Sequence, residues 1–200
     1  MIQPIVEGHG EVSAVPVLLR KLAELMRVPA LAVGRPIRAP RSKLTQQEGM
    51  TKYVQMARSQ EGCRGILVMF DADDLCPKTE SEQVRQWAAV AATPIPCSLV
   101  LPNREYEGWF LACIEVLMQY RAIQPVQQFA GNPDDKRGAK EAVEDLMGEG
   151  FRYIERADQP SFTAQADWLL VHERSRSFRK MAKEVQRLLG LCGYAPIQWP

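Results

Sequence analysis

The sequence predicts an α/β fold: a mostly parallel, Rossmann-like sheet flanked by helices, with a helical extension at the C-terminal end. Three features predict it. Short apolar runs of strand length occur at Ile2 to Val6, Ile66 to Phe70 and Cys97 to Leu101, segments of helical periodicity separate them, and a glycine-punctuated turn, Glu7-Gly8-His9-Gly10, follows the first run. Strands alternating with helices favour a parallel, doubly wound sheet.

The elements follow in order. Val12, Val15, Leu18, Leu19, Leu22 and Leu25 recur at helical spacing and predict a helix that stops near Pro29, with Pro16 in its first turn or at a kink. Leu31 to Ala39 reads as a strand that Gly34 and Pro36 confine to a sheet edge or bulge. A helix over Gln47 to Ser59 precedes the continuous run Ile66 to Phe70, which predicts a central strand covered on both faces. Ser81 to Ala92 reads as a helix with Trp87 and Val90 inward, ended by Pro94 and Pro96. After the strand Cys97 to Leu101, a helix is expected over Glu107 to Gln119, carrying Trp109, Phe110, Cys113, Ile114, Leu117 and Met118. Beyond it, helices are expected over Lys136 to Met147, Phe162 to His172 and Ser175 to Leu189, with a short strand near Phe151 to Ile154. Residues 1–120 are thus expected to form the α/β core and residues 121–200 a helical extension packed on the same domain.

Composition narrows the function. With 46% hydrophobic residues the chain can bury a real core, and 25 Lys and Arg against 24 Asp and Glu give a formal charge of +1, so any polyanion must be met by a local patch. No apolar run approaches the roughly 18 residues that cross a bilayer, and the start has no charged segment followed by an apolar one, so a cytoplasmic location without membrane association is expected. Cys63, Cys76, Cys97, Cys113 and Cys192 form no C-x-x-C pair and read as reduced thiols.

In open α/β sheets the ligand crevice lies beyond the carboxyl ends of the strands. Glu7 follows the first strand, Asp71 and Asp73 the central one, and Glu105 and Glu107 the next. Carboxylates gathered there repel one another unless a cation neutralises them, and hard oxygen ligands favour Mg²⁺ or Mn²⁺. Asp71 and Asp73, two residues apart, face the same side of an extended chain, whereas Asp74 points away. The competing reading is that such acids cap the following helix. Gly8 and Gly10 suit a backbone that approaches a phosphate, because they lack Cβ. Arg35, Arg38, Arg41 and Lys43, with Arg174, Arg176, Arg179 and Lys180, read first as ordinary solvated faces and are the candidate phosphate-backbone contacts if nucleic acid binds. His9 would touch a phosphate or orient its loop, and Ser13 lacks the partners of a serine hydrolase.

The order Val6-Glu7-Gly8 and then Phe70-Asp71-Ala72-Asp73, each closing an apolar strand, resembles the Toprim domain of topoisomerases, primases and related nucleases. V-E-G-H-G-E, F-D-A-D-D, R-E-Y-E-G-W-F-L-A and S-F-R-K are together similar to a bacterial Toprim-like family related to the overcoming-lysogenization-defect nucleases. The resemblance implies a Mg²⁺-binding fold in which Glu7, Asp71 and Asp73 act in catalysis and hold metal. It adds Glu11 and Glu107 as further metal ligands, both of which also read as acids in a first helical turn. It also implies a basic residue that stabilises charge on the phosphate, for which Asp135 to Lys140 supplies the candidates, Lys136 and Lys140 as catalytic residues with Arg137 between them; the same three equally read as a solvated helix face. The implied function is a Mg²⁺-dependent nuclease or phosphodiesterase acting on DNA or RNA in a defence or repair system. Its expected partners are nucleic acid, an ATPase protein and a second copy of the chain as a homodimer. The alternative is a metal-binding regulatory or interaction module of the same fold without turnover.

Overall fold

A computed structural model describes residues 1–72, 80–117, 123–125 and 128–198. Among them four strands form one sheet in the order β2-β1-β3-β4: β1 (Ile2–Val6), β2 (Ile37–Arg38), β3 (Gly65–Met69) and β4 (Cys97–Val100), every pair parallel. The helices are α1 (Glu11–Leu25), α2 (Arg41–Leu44), α3 (Gln47–Arg58), α4 (Glu80–Ala92), α5 (Gly108–Leu111), α6 (Ile114–Leu117), α7 (Ala139–Asp145), α8 (Glu155–Gln165), α9 (Trp168–Arg174) and α10 (Arg176–Leu191). The α/β class with a parallel sheet and a helical C-terminal part is therefore as the sequence predicts. No helix of the described residues is long and apolar enough to cross a membrane.

Strand alternation divides the core in two. Ile2, Val6, Leu67, Met69 and Val100 point to the face covered by α1 and α10, whereas Ile5, Ile66, Val68, Phe70 and Leu99 point to the face covered by α3 and α4. Both central strands, β1 and β3, are buried along their whole length, which explains their unbroken apolar sequence. As Gly34 and Pro36 foretell, β2 lies at the edge and is reduced to two residues.

Packing moves several boundaries. In α4 the inward stripe is Val84, Ala88 and Ala92, while Val90, two residues beyond Ala88 and so round the helix, is 71% exposed. Leu25 also turns outward, and the adjacent Met26 takes the buried place. The helix expected from Glu107 divides into α5 and α6, because the amides of Cys113 and Val116 bond three residues back instead of four; Met118 lies outside the described residues. Gly138, at φ 64°, delays α7 to Ala139, so Lys136 precedes the helix. The expected helix Phe162 to His172 is two helices, because Asp167 accepts the amides of Leu169 and Leu170 and starts α9 anew. Phe151 to Ile154 is not a strand: the Tyr153 amide donates to the Glu144 carboxylate (2.9 Å) rather than to a neighbouring strand. Cys63, Cys97, Cys113 and Cys192 are free thiols; Cys76 lies outside the described residues.

The C-terminal helices close over the sheet through aromatic packing. Trp109 of α5 meets Phe178 of α10 at 5.2 Å, Phe178 stacks on Trp168 of α9 at 4.9 Å, and Phe110 meets Phe162 of α8 at 5.6 Å. These contacts lay α8 along α1, which brings its first turns to the carboxyl edge of the sheet.

Candidate acidic site

The parallel register sets the strand ends level. Val6 lies opposite Arg38 and Met69, and Met69 lies opposite Val100. Glu7 and Asp71 therefore leave neighbouring strands together, and the loop after β4 delivers Glu105 and Glu107 beside them. A cavity of about 220 Å³ opens there, lined by Glu7, Gly8, Glu11, Asp71, Glu105, Glu107, Lys140, Glu155 and Gln159. Among the described residues of the wall, six carboxylates thus face a single ammonium group. Asp73 and Asp74 lie outside the described residues.

Two of the six carboxylates have a structural duty on both oxygens. Glu105 accepts the amides of Gly138 (2.9 Å) and Lys140 (3.0 Å), fixing the start of α7. Glu155 accepts the Gly10 amide (3.0 Å), where α1 begins, and pairs with Lys140 Nζ (3.4 Å). Although burial opposes it, the Gly10 amide and Lys140 hold the Glu155 carboxyl below the ordinary range.

Glu11 and Glu107 are more unusual, being only 3% and 5% exposed. Glu11 Oε2 accepts the amides of Glu7 (2.9 Å) and Gly8 (2.8 Å), so it shapes the turn that carries Glu7. Burial, reinforced by Glu7 and Glu107 and opposed by those two amides, pushes its pKa up to about 8. Glu107 Oε1 accepts the Tyr153 hydroxyl (2.9 Å) and Gln159 Nε2 (3.2 Å). Burial and the nearby Glu105 and Glu155 push it up to about 7, against the Tyr153 bond. Gln159 is itself buried, and no donor among the described residues reaches its Oε1.

The remaining sequence candidates are dispersed. Arg38 is exposed at the end of β2 and approaches the Glu7 carbonyl (3.5 Å), while Arg35 is exposed and offers its carbonyl to Gln3 (2.7 Å). Neither lines the cavity, nor does Lys136; Lys140 does. His9 is exposed, with Nδ1 3.0 Å from the Arg156 guanidinium. Sequence reasoning missed Glu155 and Gln159 altogether. It also missed that Arg41 braces the carbonyls of Asp71 and Ala72, the latter at 2.8 Å, and so orients the loop after β3.

Gly10 has a packing role. Its φ of −69° suits any residue, but a Cβ there would lie 2.4 Å from Gln159 Oε1 and 2.6 Å from the Glu155 carbonyl oxygen. Helix α8 thus seats directly on the start of α1. Gly10→Ala is expected to destabilise the protein by about 1–3 kcal/mol in denaturant unfolding through overpacking. Gly8→Ala, whose Cβ would meet a single side-chain oxygen, Glu155 Oε1, at 3.1 Å and no backbone atom so closely, is expected to cost much less. Equal losses would contradict this assignment.

The donor set is all oxygen, without sulfur or imidazole, and suits a hard divalent cation better than zinc. Among the described residues, however, no group of three or more His, Cys, Asp or Glu side chains is placed to hold a metal ion. Residues 6–186 match the model of a family described as Domain of unknown function (DUF4276). No curated protein and no solved structure matches the chain.

Proposed function

The chain belongs to the DUF4276 family, and we propose that it is a Mg²⁺- or Mn²⁺-dependent phosphodiesterase of the Toprim type, acting on nucleic acid in the cytoplasm. The observation that carries this reading is the convergence of Glu7, Glu11, Asp71 and Glu107 on one cavity at the carboxyl edge of a parallel sheet, where Lys140 is the single cation on the described wall. A divalent cation held by those carboxylates would relieve their mutual repulsion, and the unmatched Gln159 oxygen is a further donor of the same chemical kind.

When bound, such an ion polarises a phosphate oxygen and lowers the pKa of a coordinated water. The chain's own groups then divide the work. Glu7 and Asp71 offer carboxylates from the strand ends, and Asp73 joins them by sequence. Glu11 fixes the turn below Glu7 through two amide bonds, and Arg41 fixes the loop below Asp71. Lys140, tethered by Glu155, supplies positive charge near a phosphate entering the cavity. An ATPase partner in a defence or repair system extends the reading through the family resemblance alone.

The test is incubation of the purified chain with supercoiled plasmid and with single-stranded RNA in Mg²⁺ or Mn²⁺, with Asp71→Ala as control. The expected result is metal-dependent cleavage that the control lacks. Cleavage unchanged in Asp71→Ala would overturn the site. Asp71-dependent Mn²⁺ binding without cleavage of either substrate would make the protein a metal-binding module instead.

A further inference from the structure

A second cavity, of about 270 Å³, lies against the other side of the same loops, its wall including Ala72, Asn103, Asp134, Arg176, Ser177 and Lys180. It adjoins the acidic cavity through the chain itself. Ala72 follows Asp71 directly, Asn103 precedes Glu105 by two residues, and the Ala72 amide donates to the Pro102 carbonyl (3.0 Å), tying the two loops together.

The two cavities differ in charge. Arg176 and Lys180 are one turn apart on α10 and exposed, and neither makes a hydrogen bond or ion pair among the described residues. Glu184, which attracts Lys180, is already paired with Arg85 (3.7 Å) and Arg187 (3.0 Å). Asp134 sits in the wall, but its oxygens are occupied. Oδ1 accepts the hydroxyls of Ser175 and Ser177 (both 2.7 Å) and Oδ2 accepts the Ser177 amide (2.9 Å). The Ser177 amide is thus taken by Asp134 and the Phe178 amide by Ser175 Oγ (3.0 Å), and the positive charge offered to a ligand comes from the Arg176 and Lys180 side chains. Partial burial, with Arg85 and Arg176 beside it, lowers the proton affinity of Lys180 against the pull of Glu184, and an anion in the cavity would raise it.

We propose that this second cavity is a phosphate-backbone subsite, in which Arg176 and Lys180 hold a non-scissile phosphate of a polynucleotide whose neighbouring phosphate enters the acidic cavity. The inference rests on the proposed phosphodiesterase reading and deepens it, since a substrate held in both cavities carries a phosphate for each. The two cations position the substrate through charge and read no base.

The test measures fluorescence anisotropy of labelled single-stranded DNA and RNA oligonucleotides with the full chain in Ca²⁺, alongside Mn²⁺ binding and cleavage kinetics. Arg176→Gln with Lys180→Gln is expected to weaken oligonucleotide binding by roughly tenfold per cation. The slope of log affinity against log salt is expected to fall by about 0.7 for each lost contact to a single strand. Raised KM, unchanged kcat, unchanged Mn²⁺ affinity and recovery in Arg176→Lys with Lys180→Arg are expected with it. Oligonucleotide affinity and KM equal to wild type in the double Gln variant, with Mn²⁺ binding and cleavage intact, would overturn the subsite and leave the phosphodiesterase reading standing. Loss of oligonucleotide affinity in that variant, together with a wild-type protein that binds no Mn²⁺, would support the subsite and overturn the phosphodiesterase reading. Equal dependence of mononucleotide and oligonucleotide binding on the two cations would overturn the polynucleotide assignment.

Discussion

Glu7→Gln is expected to reduce metal-dependent cleavage by at least about 100-fold with little change in melting temperature. Several kcal/mol of charge stabilisation are at stake when a metal carboxylate becomes an amide, and each 1.4 kcal/mol is about tenfold in rate. Glu7 lies at the cavity wall, where an isosteric amide fits the same space. Glu11 separates charge from architecture. Its Oε2 accepts two backbone amides, and Glu11→Gln keeps an oxygen able to accept them, so this variant is expected to lose activity while holding the turn. Glu11→Ala leaves both amides without that acceptor and is expected to lose activity and, in addition, about 1–3 kcal/mol of stability. Cleavage rates at saturating Mn²⁺, with urea unfolding of the same three variants, check the pattern. Wild-type cleavage in Glu7→Gln would remove the acidic cavity from the chemistry.

The parts of this fold and site that were legible in the sequence share a physical cause. Strands β1 and β3 are buried on both faces, so their apolar runs are continuous, and the acids that end them stand out as the first charges after each run. Glu7 and Asp71 were readable for that reason. Helix α8 was not. Its inward face carries Asp158, Gln159 and Thr163, all buried and hydrogen bonded: Asp158 takes the Ile154 amide, Gln159 reaches Glu107, and Thr163 meets the Tyr106 hydroxyl. Phe162 is the one apolar side chain of that buried stripe, so there is no apolar period to find, and Pro160 within the helix deepens the disguise. Glu155 and Gln159 reach the cavity through contacts with residues far away in the chain, Gly10 being 145 positions from Glu155. No local spacing announces such a meeting. Asp167 illustrates the opposite failure: the apolar pattern crosses it, but its carboxylate caps a new helix and breaks the expected one in two.

The metal-free protein is expected to lose stability as pH rises from about 5 to about 8, and divalent metal is expected to reverse the loss. Glu11 and Glu107 have an ordinary pKa of 4.5 when unfolded, but in the folded chain they are pushed up to about 8 and about 7. Between those values the folded protein retains protons that the unfolded chain has released. Stability then falls with rising pH, because its slope follows the protons bound unfolded minus those bound folded, which is negative here. The decline begins near 4.5 and ends above about 8, where both forms are ionised. Glu155, depressed in the folded state, acts in the other direction and is felt only on the acid side, where its contribution is lost as pH falls through its folded pKa. Each group protonated only in the folded chain contributes up to about 1.4 kcal/mol per pH unit, and 1 kcal/mol corresponds to roughly 2–4 °C for a chain of this size. A cation must displace those protons, so its stabilisation grows with pH. Melting curves from pH 5 to 9 in EDTA and in Mn²⁺ should therefore diverge as pH rises. Glu11→Gln, neutral throughout, should flatten the EDTA profile and narrow the gap. A level EDTA profile with a constant Mn²⁺ increment would show that protons and metal do not compete for these buried acids.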